Sequence, residues 1–187
     1  GPVVVPEGPP DDRFVYLSDV LPTAWQAVAY AGVPDPNRSL VVLGLGPIGD
    51  MSCRVAQHLG ADNIIGVDLV PERLRRLGDR GVTTLDLSEF DDDADLLDVV
   101  RELTGGRGPD AVIDAVGMEA HGSPVARAAH AATALLPNAL AEKLMKRAGS
   151  DRLAALHAAI SLVRRGGTIS VIGVYGGPTD PMPMLTM

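Results

Sequence analysis

The sequence predicts an α/β fold in which helices cover both faces of a doubly wound parallel sheet. Short apolar runs alternate with longer segments of helical periodicity along most of the chain. Parallel strands need crossover connections, usually helices, so this alternation favours a parallel sheet with right-handed connections. The 187 residues, 46% of them hydrophobic, are enough to enclose one well-buried core.

The elements can be placed along the chain from this alternation. Residues 1–17 begin with a proline-rich stretch and are predicted to form an extended lead-in to a single domain at 18–187. We expect five strands, at 40–43, 63–68, 82–87, 111–116 and 168–174. Helices are expected at 18–31, 48–59, 71–77 and 96–103, with two more in the Ala-rich stretch 122–165. Sheets of this type commonly have six strands, so the sixth is expected to be missing and the chain to be incomplete.

A glycine-rich turn follows the first predicted strand and opens a helix. Its sequence is Gly44-Leu45-Gly46-Pro47-Ile48-Gly49. In the Gly-x-Gly-x-x-Gly pattern of Rossmann-type folds, the first glycine permits a tight turn, the second lets backbone approach a pyrophosphate, and the third lets helix and strand pack closely. Pro47 has no N–H, so phosphate binding would depend on the N–H of Ile48 and on the helix dipole. The alternative is that the glycines only permit a tight turn.

An acidic residue ends the second predicted strand. Asp68, followed by Leu69, lies about twenty residues beyond the glycine turn, where a carboxylate accepts hydrogen bonds from the adenosine ribose. This position favours NAD over NADP. S-adenosylmethionine is a weaker alternative, since its binding folds also combine a glycine turn with a ribose-binding acid.

Composition excludes several other classes of protein. The net charge of −8 argues against nucleic-acid binding, which needs a basic surface. No apolar run is long enough to cross a membrane, and no signal peptide is evident. One cysteine allows neither an internal disulfide nor a cysteine-rich zinc site. We therefore expect a cytoplasmic protein.

Four stretches in the same order resemble the zinc-dependent medium-chain alcohol dehydrogenases, in particular the branch of glutathione-independent formaldehyde dehydrogenase. They are LSDVLPTAW at 17–25, GLGPIG at 44–49, DAVGMEA at 114–120 and GTISVIGVYGG at 167–177. The resemblance implies the NAD-binding domain of an enzyme that transfers hydride between an alcohol and NAD. It also implies that the family's catalytic barrel domain and C-terminal end are absent from this chain.

The resemblance implies further site residues. Arg73 falls where the family has a basic side chain near the adenosine ribose and phosphate. The positions bordering the adenine and lining the nicotinamide are Asp86, Leu87, Ala115, Val116, Gly117, Gly173 and Val174. Asp19 matches the third zinc ligand of this branch, but one carboxylate cannot hold zinc, which needs about four ligands. The chain alone is expected to bind NAD without catalysing a reaction.

Several residues have simpler structural interpretations. Asp19 can act only as a helix-start residue, and Asp114 is divided between a structural hydrogen-bonding role and cofactor contact. The remaining candidates are predicted to be packing or surface residues: Trp25 and Cys53 in the core, and the four histidines and the acidic run 91–95 at the surface. His121 is also a candidate to approach the active cleft of a complete enzyme.

A second hypothesis places the chain in another class, a nucleotide-binding or interaction module without catalysis. A missing sixth strand would leave the fifth strand as a sheet edge, which favours pairing with another chain. We therefore expect the chain to form a homo-oligomer, as a dimer or through weak aggregation.

Overall fold

Five parallel strands form one sheet at the centre of the structure, a computed structural model that describes residues 4, 6–32, 38–90, 93–116 and 154–173. The strands are Ser39–Leu43 (β1), Asn63–Asp68 (β2), Thr83–Asp86 (β3), Ala111–Asp114 (β4) and Thr168–Val171 (β5). Their order across the sheet is β3-β2-β1-β4-β5, and every neighbouring pair is parallel. This order reverses direction at β1, so the predicted doubly wound α/β class is confirmed.

Helices cover both faces of the sheet. They are Val20–Tyr30 (α1), Pro47–His58 (α2), Pro71–Gly78 (α3), Asp93–Leu103 (α4) and Ala154–Leu162 (α5). Leu40 and Val42 of β1 point into a core shared with α1, α2 and α3. Val41 and Leu43 point into a second core, shared with α4 and α5. Because both faces are covered, all five residues of β1 are buried, and 40–43 form a continuous apolar run after Ser39.

The predicted lead-in is not extended throughout. Asp11–Leu17 form a 3-10 helix, which begins after Pro10 with a hydrogen bond from the Arg13 N–H to the Pro10 carbonyl at 3.1 Å. Proline fixes its φ near the helical value, and here φ is −59°, so Pro10 favours a helical turn after it. The proline-rich composition of this segment does not reveal that turn.

The prediction that Trp25 packs in the core is wrong. The side chain is 44% exposed and lies against the ring of His58, with centroids 6.2 Å apart. Ala24, Ala27 and Val28 already fill the buried face of α1. Each helical residue turns about 100° from its predecessor, so Trp25 falls outside that face.

Strands β4 and β5 are shorter than predicted, because the N–H groups that follow them make other hydrogen bonds than those of the regular parallel pairing. The N–H of Val116 turns to the side chain of Asp114, and the N–H groups of Ile172 and Gly173 both donate to the Asp114 carbonyl. Of the two helices expected within 122–165, α5 falls among the described residues, and residues 117–153 lie outside them. Across the described ranges, no helix has the length and apolarity that a membrane span requires.

Candidate functional site

The glycine turn lies at the carboxyl edge of the sheet, directly after β1. Gly44 adopts φ +82°, a conformation that favours glycine, and its N–H donates to the Val67 carbonyl at 2.9 Å. Gly49 lies in the first turn of α2, where a Cβ would overlap the Gly44 carbonyl oxygen. These two glycines are required by the turn and by the close packing of helix on strand.

Gly46 has a different environment. Its φ of −65° and ψ of −170° are extended backbone that any residue adopts. Among the described residues, an added Cβ would meet one neighbour within 4 Å, the Nη1 of Arg73 at 4.0 Å. Neither conformation nor internal packing therefore requires glycine here. As far as the described residues show, the backbone of Gly46 has space beside it at the N-terminus of α2, where helix N–H groups and the dipole favour an anion.

The carboxylate of Asp68 lies beside this turn. Its Oδ2 accepts the Leu45 N–H at 2.6 Å, and its Oδ1 accepts the N–H groups of Leu69 at 2.7 Å and Val70 at 2.9 Å. Arg73 adds a fourth donor, with Nη1 at 3.3 Å from Oδ2. The ion pair ties the start of α3 to the end of β2.

Sequence reasoning missed Leu45, whose N–H contacts Asp68, and Gly66, which lies against the Leu45 side chain. A Cβ on Gly66, inside β2, would lie 3.0 Å from a methyl group of Leu45, so glycine there makes room for the Leu45 side chain. That packing accompanies the contact of the Leu45 N–H with Asp68. A glycine within a predicted strand was the available signal, because it often marks a close approach.

Three other predicted residues flank this carboxylate. Asp86 ends β3 opposite Asp68 in the strand register, and its side chain accepts the N–H and hydroxyl of Ser88. Leu69 and Leu87 follow β2 and β3, and both leucine side chains are exposed. The carboxyl ends of the two strands thus combine polar acceptors with exposed apolar side chains.

The ends of β4 and β5 approach the glycine turn from the other side. A Cβ on Gly44 would lie 3.1 Å from a methyl group of Val116 and 3.2 Å from the Ala115 carbonyl. Asp114 is fully buried, and its Oδ1 accepts the Val116 N–H at 3.1 Å, so a structural role is present. Its carbonyl holds Gly173 close to the same edge. Predicted residues Gly117 and Val174 lie outside the described residues.

Asp19, the predicted metal residue, lies at the N-cap position of α1. It is exposed, and its Oδ1 accepts the Thr23 hydroxyl at 3.2 Å, but its side chain makes no capping hydrogen bond to a helix N–H. Among the residues that the structure describes, no three His, Cys, Asp or Glu side chains form a group able to hold a metal ion.

The other potentially reactive side chains make contacts that indicate structural roles. Cys53 is buried, and desolvation with the nearby Asp50 charge raises the pKa of its thiol to about 12, which suppresses the nucleophilic thiolate. Asp50 pairs with Arg76 and Arg80, each at 3.0 Å, and links α2 to the region of α3. His58 is exposed. His121, His130 and Asp91–Asp92 lie outside the described residues.

A second buried cluster, also missed from sequence, lies at the opposite edge of the sheet. Asp110 Oδ2 accepts the N–H of Ser39 at 2.9 Å and its hydroxyl at 3.1 Å. Arg164 Nε donates to Oδ1 of the same carboxylate at 2.6 Å. Burial raises the pKa of Asp110, but these hydrogen bonds and the Arg164 charge outweigh burial and hold it below the usual value.

Several known proteins resemble this chain in sequence and in fold. Residues 47–134 match the family model described as zinc-binding dehydrogenase. Formaldehyde dismutase of Pseudomonas putida is 34% identical over 168 residues, which cover 90% of this chain and 36% of that protein. A zinc-type alcohol dehydrogenase-like protein of Bacillus subtilis is 32% identical over 175 residues, covering 94% of this chain and 42% of the relative.

A solved structure agrees with these relatives. An alcohol dehydrogenase from Thermus sp. ATN1 superimposes with a TM-score of 0.68 at 28% identity, over 96% of this chain and 41% of that one. The chain therefore spans about two fifths of the length of the proteins it matches. Sequence and fold together support placing the chain with the zinc-dependent medium-chain alcohol dehydrogenase superfamily, over the part of those proteins that it covers.

Proposed function

We propose that this chain binds NAD at the carboxyl edge of its sheet, and that residues 18–187 act as the NAD-binding domain of an alcohol or aldehyde dehydrogenase. The observation that carries the proposal is Gly46. Its missing side chain is required neither by φ nor by packing against the described residues, and the space it leaves lies at a helix N-terminus. A pyrophosphate approaching the backbone closely accounts for that space.

The rest of the cofactor follows from the same edge. The Asp68 carboxylate lies where the adenosine ribose hydroxyls would donate, and its negative charge would repel the extra phosphate of NADP. The exposed leucines Leu69 and Leu87 offer apolar contact to an adenine ring. Ala115, Val116 and Gly173 would line the nicotinamide. Ile48 supplies the first helical N–H after Pro47.

In the complete enzyme, bound NAD would accept or give the hydride, while this domain contributes position and electrostatics. The names of the relatives support alcohols and aldehydes as substrates, with formaldehyde among them.

We propose that Asp19 is one zinc ligand in such an enzyme. One carboxylate with a hydroxyl neighbour does not make a four-ligand site, so the purified chain should not oxidise ethanol or formaldehyde with added zinc. Zinc-dependent turnover by this chain would disprove that expectation.

Replacing Gly46 by Ala tests the proposal directly. The new Cβ has room and an unstrained φ, so the melting temperature without ligand should stay within about a degree, while the NADH-induced shift should disappear. Wild type with saturating NADH should gain several degrees, since ligand at a hundred times its Kd adds about 2.7 kcal/mol.

Gly78→Ala is the matched control, because a Cβ there would meet only the Thr84 hydroxyl at an ordinary 3.7 Å, away from the turn. It should keep the full NADH shift. Equal shifts in wild type and Gly46→Ala would show that no ligand approaches Gly46. A larger shift with NADPH than with NADH would contradict the assignment of Asp68.

We further propose a cytoplasmic homo-oligomer. Among the described strands, β5 pairs on one side only, and Trp25 and Tyr30 are exposed on α1, which has no charged residue. Edges and apolar faces of this kind favour association. Light scattering should detect a dimer or larger species, and a stable monomer at high concentration would contradict it.

A non-catalytic nucleotide-binding module is the second candidate function. It shares the prediction of an NADH-induced shift but requires no dehydrogenase activity in any longer form of the protein.

A further inference from the structure

We infer that Arg73 occupies the ribose-binding acceptor of Asp68 in the free protein and is displaced to the pyrophosphate when a dinucleotide binds. The inference rests on the proposed function and adds an exchange of partners by one guanidinium. Arg73 would thus compete with the adenosine ribose for Asp68 in the free protein and would bind the pyrophosphate once it is displaced.

The first step is a count of acceptors. An ionised carboxylate offers about four acceptor positions, two on each oxygen. In Asp68, Oδ1 accepts from Leu69 and Val70, and Oδ2 accepts from Leu45 and Arg73. The side chain is only 7% exposed. A ribose hydroxyl therefore cannot donate to this carboxylate until one present donor leaves.

The second step identifies the donor that leaves. Three of the four are backbone N–H groups at 2.6 to 2.9 Å, fixed by the turn after β1 and by the start of α3. Arg73 is the exception, since it makes the longest contact, 3.3 Å, with a side chain that is 42% exposed. Because the Arg73 guanidinium is partly exposed and water can replace this long contact, losing it should cost little stability.

The third step gives the guanidinium a destination. Arg73 Nη1 lies 4.0 Å from the position of a Cβ on Gly46, which places it over the open backbone of the glycine turn. A pyrophosphate bound to that backbone would therefore lie within reach of Arg73. Guanidinium binds phosphate through charge-assisted, often bidentate hydrogen bonds, so the exchange replaces one anionic partner by another.

The exchange predicts opposite effects on two ligands, which a simple ribose contact does not. We would measure adenosine and ADP binding calorimetrically to wild type and Arg73→Met, whose side chain retains most of the apolar stem. Adenosine lacks phosphate, so loss of the competitor should tighten its binding several-fold. ADP loses a charge-assisted contact, so its binding should weaken about tenfold or more.

Arg75→Met is the control, because Arg75 lies on the same helix and is exposed but makes no contact with Asp68. It should leave both affinities within about twofold, and thermal melts establish that both variants are folded. Weaker binding of both ligands to Arg73→Met, or unchanged binding of ADP, would overturn the exchange and leave the nucleotide site intact. Failure of wild type to bind either ligand would instead overturn the proposed function, and the exchange with it.

Discussion

At opposite edges of the same sheet, Asp68 and Asp110 are held in closely similar ways. Asp68 accepts the N–H of Leu45, just after β1, and Asp110 accepts the N–H of Ser39, at the start of β1. Each carboxylate also pairs with an arginine, Arg73 or Arg164. Both aspartates therefore tie the central strand to a neighbouring strand.

The arginines distinguish the two edges. Arg164 contacts Asp110 at 2.6 Å and is 25% exposed, whereas Arg73 contacts Asp68 at 3.3 Å and is 42% exposed. A glycine turn with open space lies beside Asp68. The same chemical group therefore has a short, less exposed arginine contact at one edge and a longer, more exposed one at the other, where we propose that a ligand exchanges with the arginine. The two edges therefore differ in how closely the arginine contacts the aspartate and in how exposed that arginine is.

The largest expected effect separates the two aspartates by stability. Asp110→Ala should lower the free energy of unfolding by about 3–5 kcal/mol, because it leaves the Ser39 N–H and the half-buried Arg164 without their partner. Asp68→Ala should cost less, about 1–3 kcal/mol, because its arginine partner is 42% exposed and can be hydrated when the carboxylate is lost, although the two carboxylates are equally buried. Urea unfolding of both variants measures the difference, and equal losses would remove the distinction.

A second change should separate them by ligand selectivity. Asp68→Ser removes the charge that opposes a 2′-phosphate and leaves Arg73 free to bind one, so the ratio of NADH to NADPH affinity should fall roughly 10- to 100-fold. Fluorescence titration with both nucleotides gives the ratio. Asp110→Asn is the comparison, because it changes a carboxylate far from the turn and should leave the ratio unchanged. An unaltered ratio in Asp68→Ser would mean that the ribose lies elsewhere.

The smallest effect concerns pH. The pKa of Asp110 is lower in the folded chain, because hydrogen bonds from Ser39 and Arg164 outweigh its burial. Its contribution to stability is therefore complete above the unfolded pKa, about 3.9, and is lost as pH falls through the folded value. The stability advantage of wild type over Asp110→Asn should be constant near neutrality and shrink below about pH 4. An advantage that persists in strong acid would exclude the ionised carboxylate as its source.

Local rules of chain geometry made much of this edge predictable from sequence. The apolar run of β1, the glycine pattern and an acid at the end of β2 each depend on residues close together in sequence, and each element is present. Gly44 and Gly49 are required by steric conditions that the motif states directly. Asp68 could be located because it ends a strand.

Residues that interact across long sequence separations were not predictable in this way. The cluster of Ser39, Asp110 and Arg164 joins two strand starts and the end of a helix, and no periodicity links them. The exposure of Trp25 depends on which face of α1 meets the sheet, and a helix without charged residues gives no sign of that. The 3-10 helix after Pro10 was hidden because proline suits both extended segments and helix starts.

The central position of β1 also affects how the polypeptide acquires its structure during synthesis. One edge of β1 pairs with β2, which follows soon after, but the other edge must await β4, whose Asp110 lies 71 residues beyond Ser39. At a translation rate of roughly 5–20 residues per second, that edge stays open for several seconds. Pairings this distant fold slowly. The nascent chain therefore presents an apolar strand edge of the kind that chaperones bind, and substitutions that weaken β4 should reduce the yield of folded protein more than its final stability.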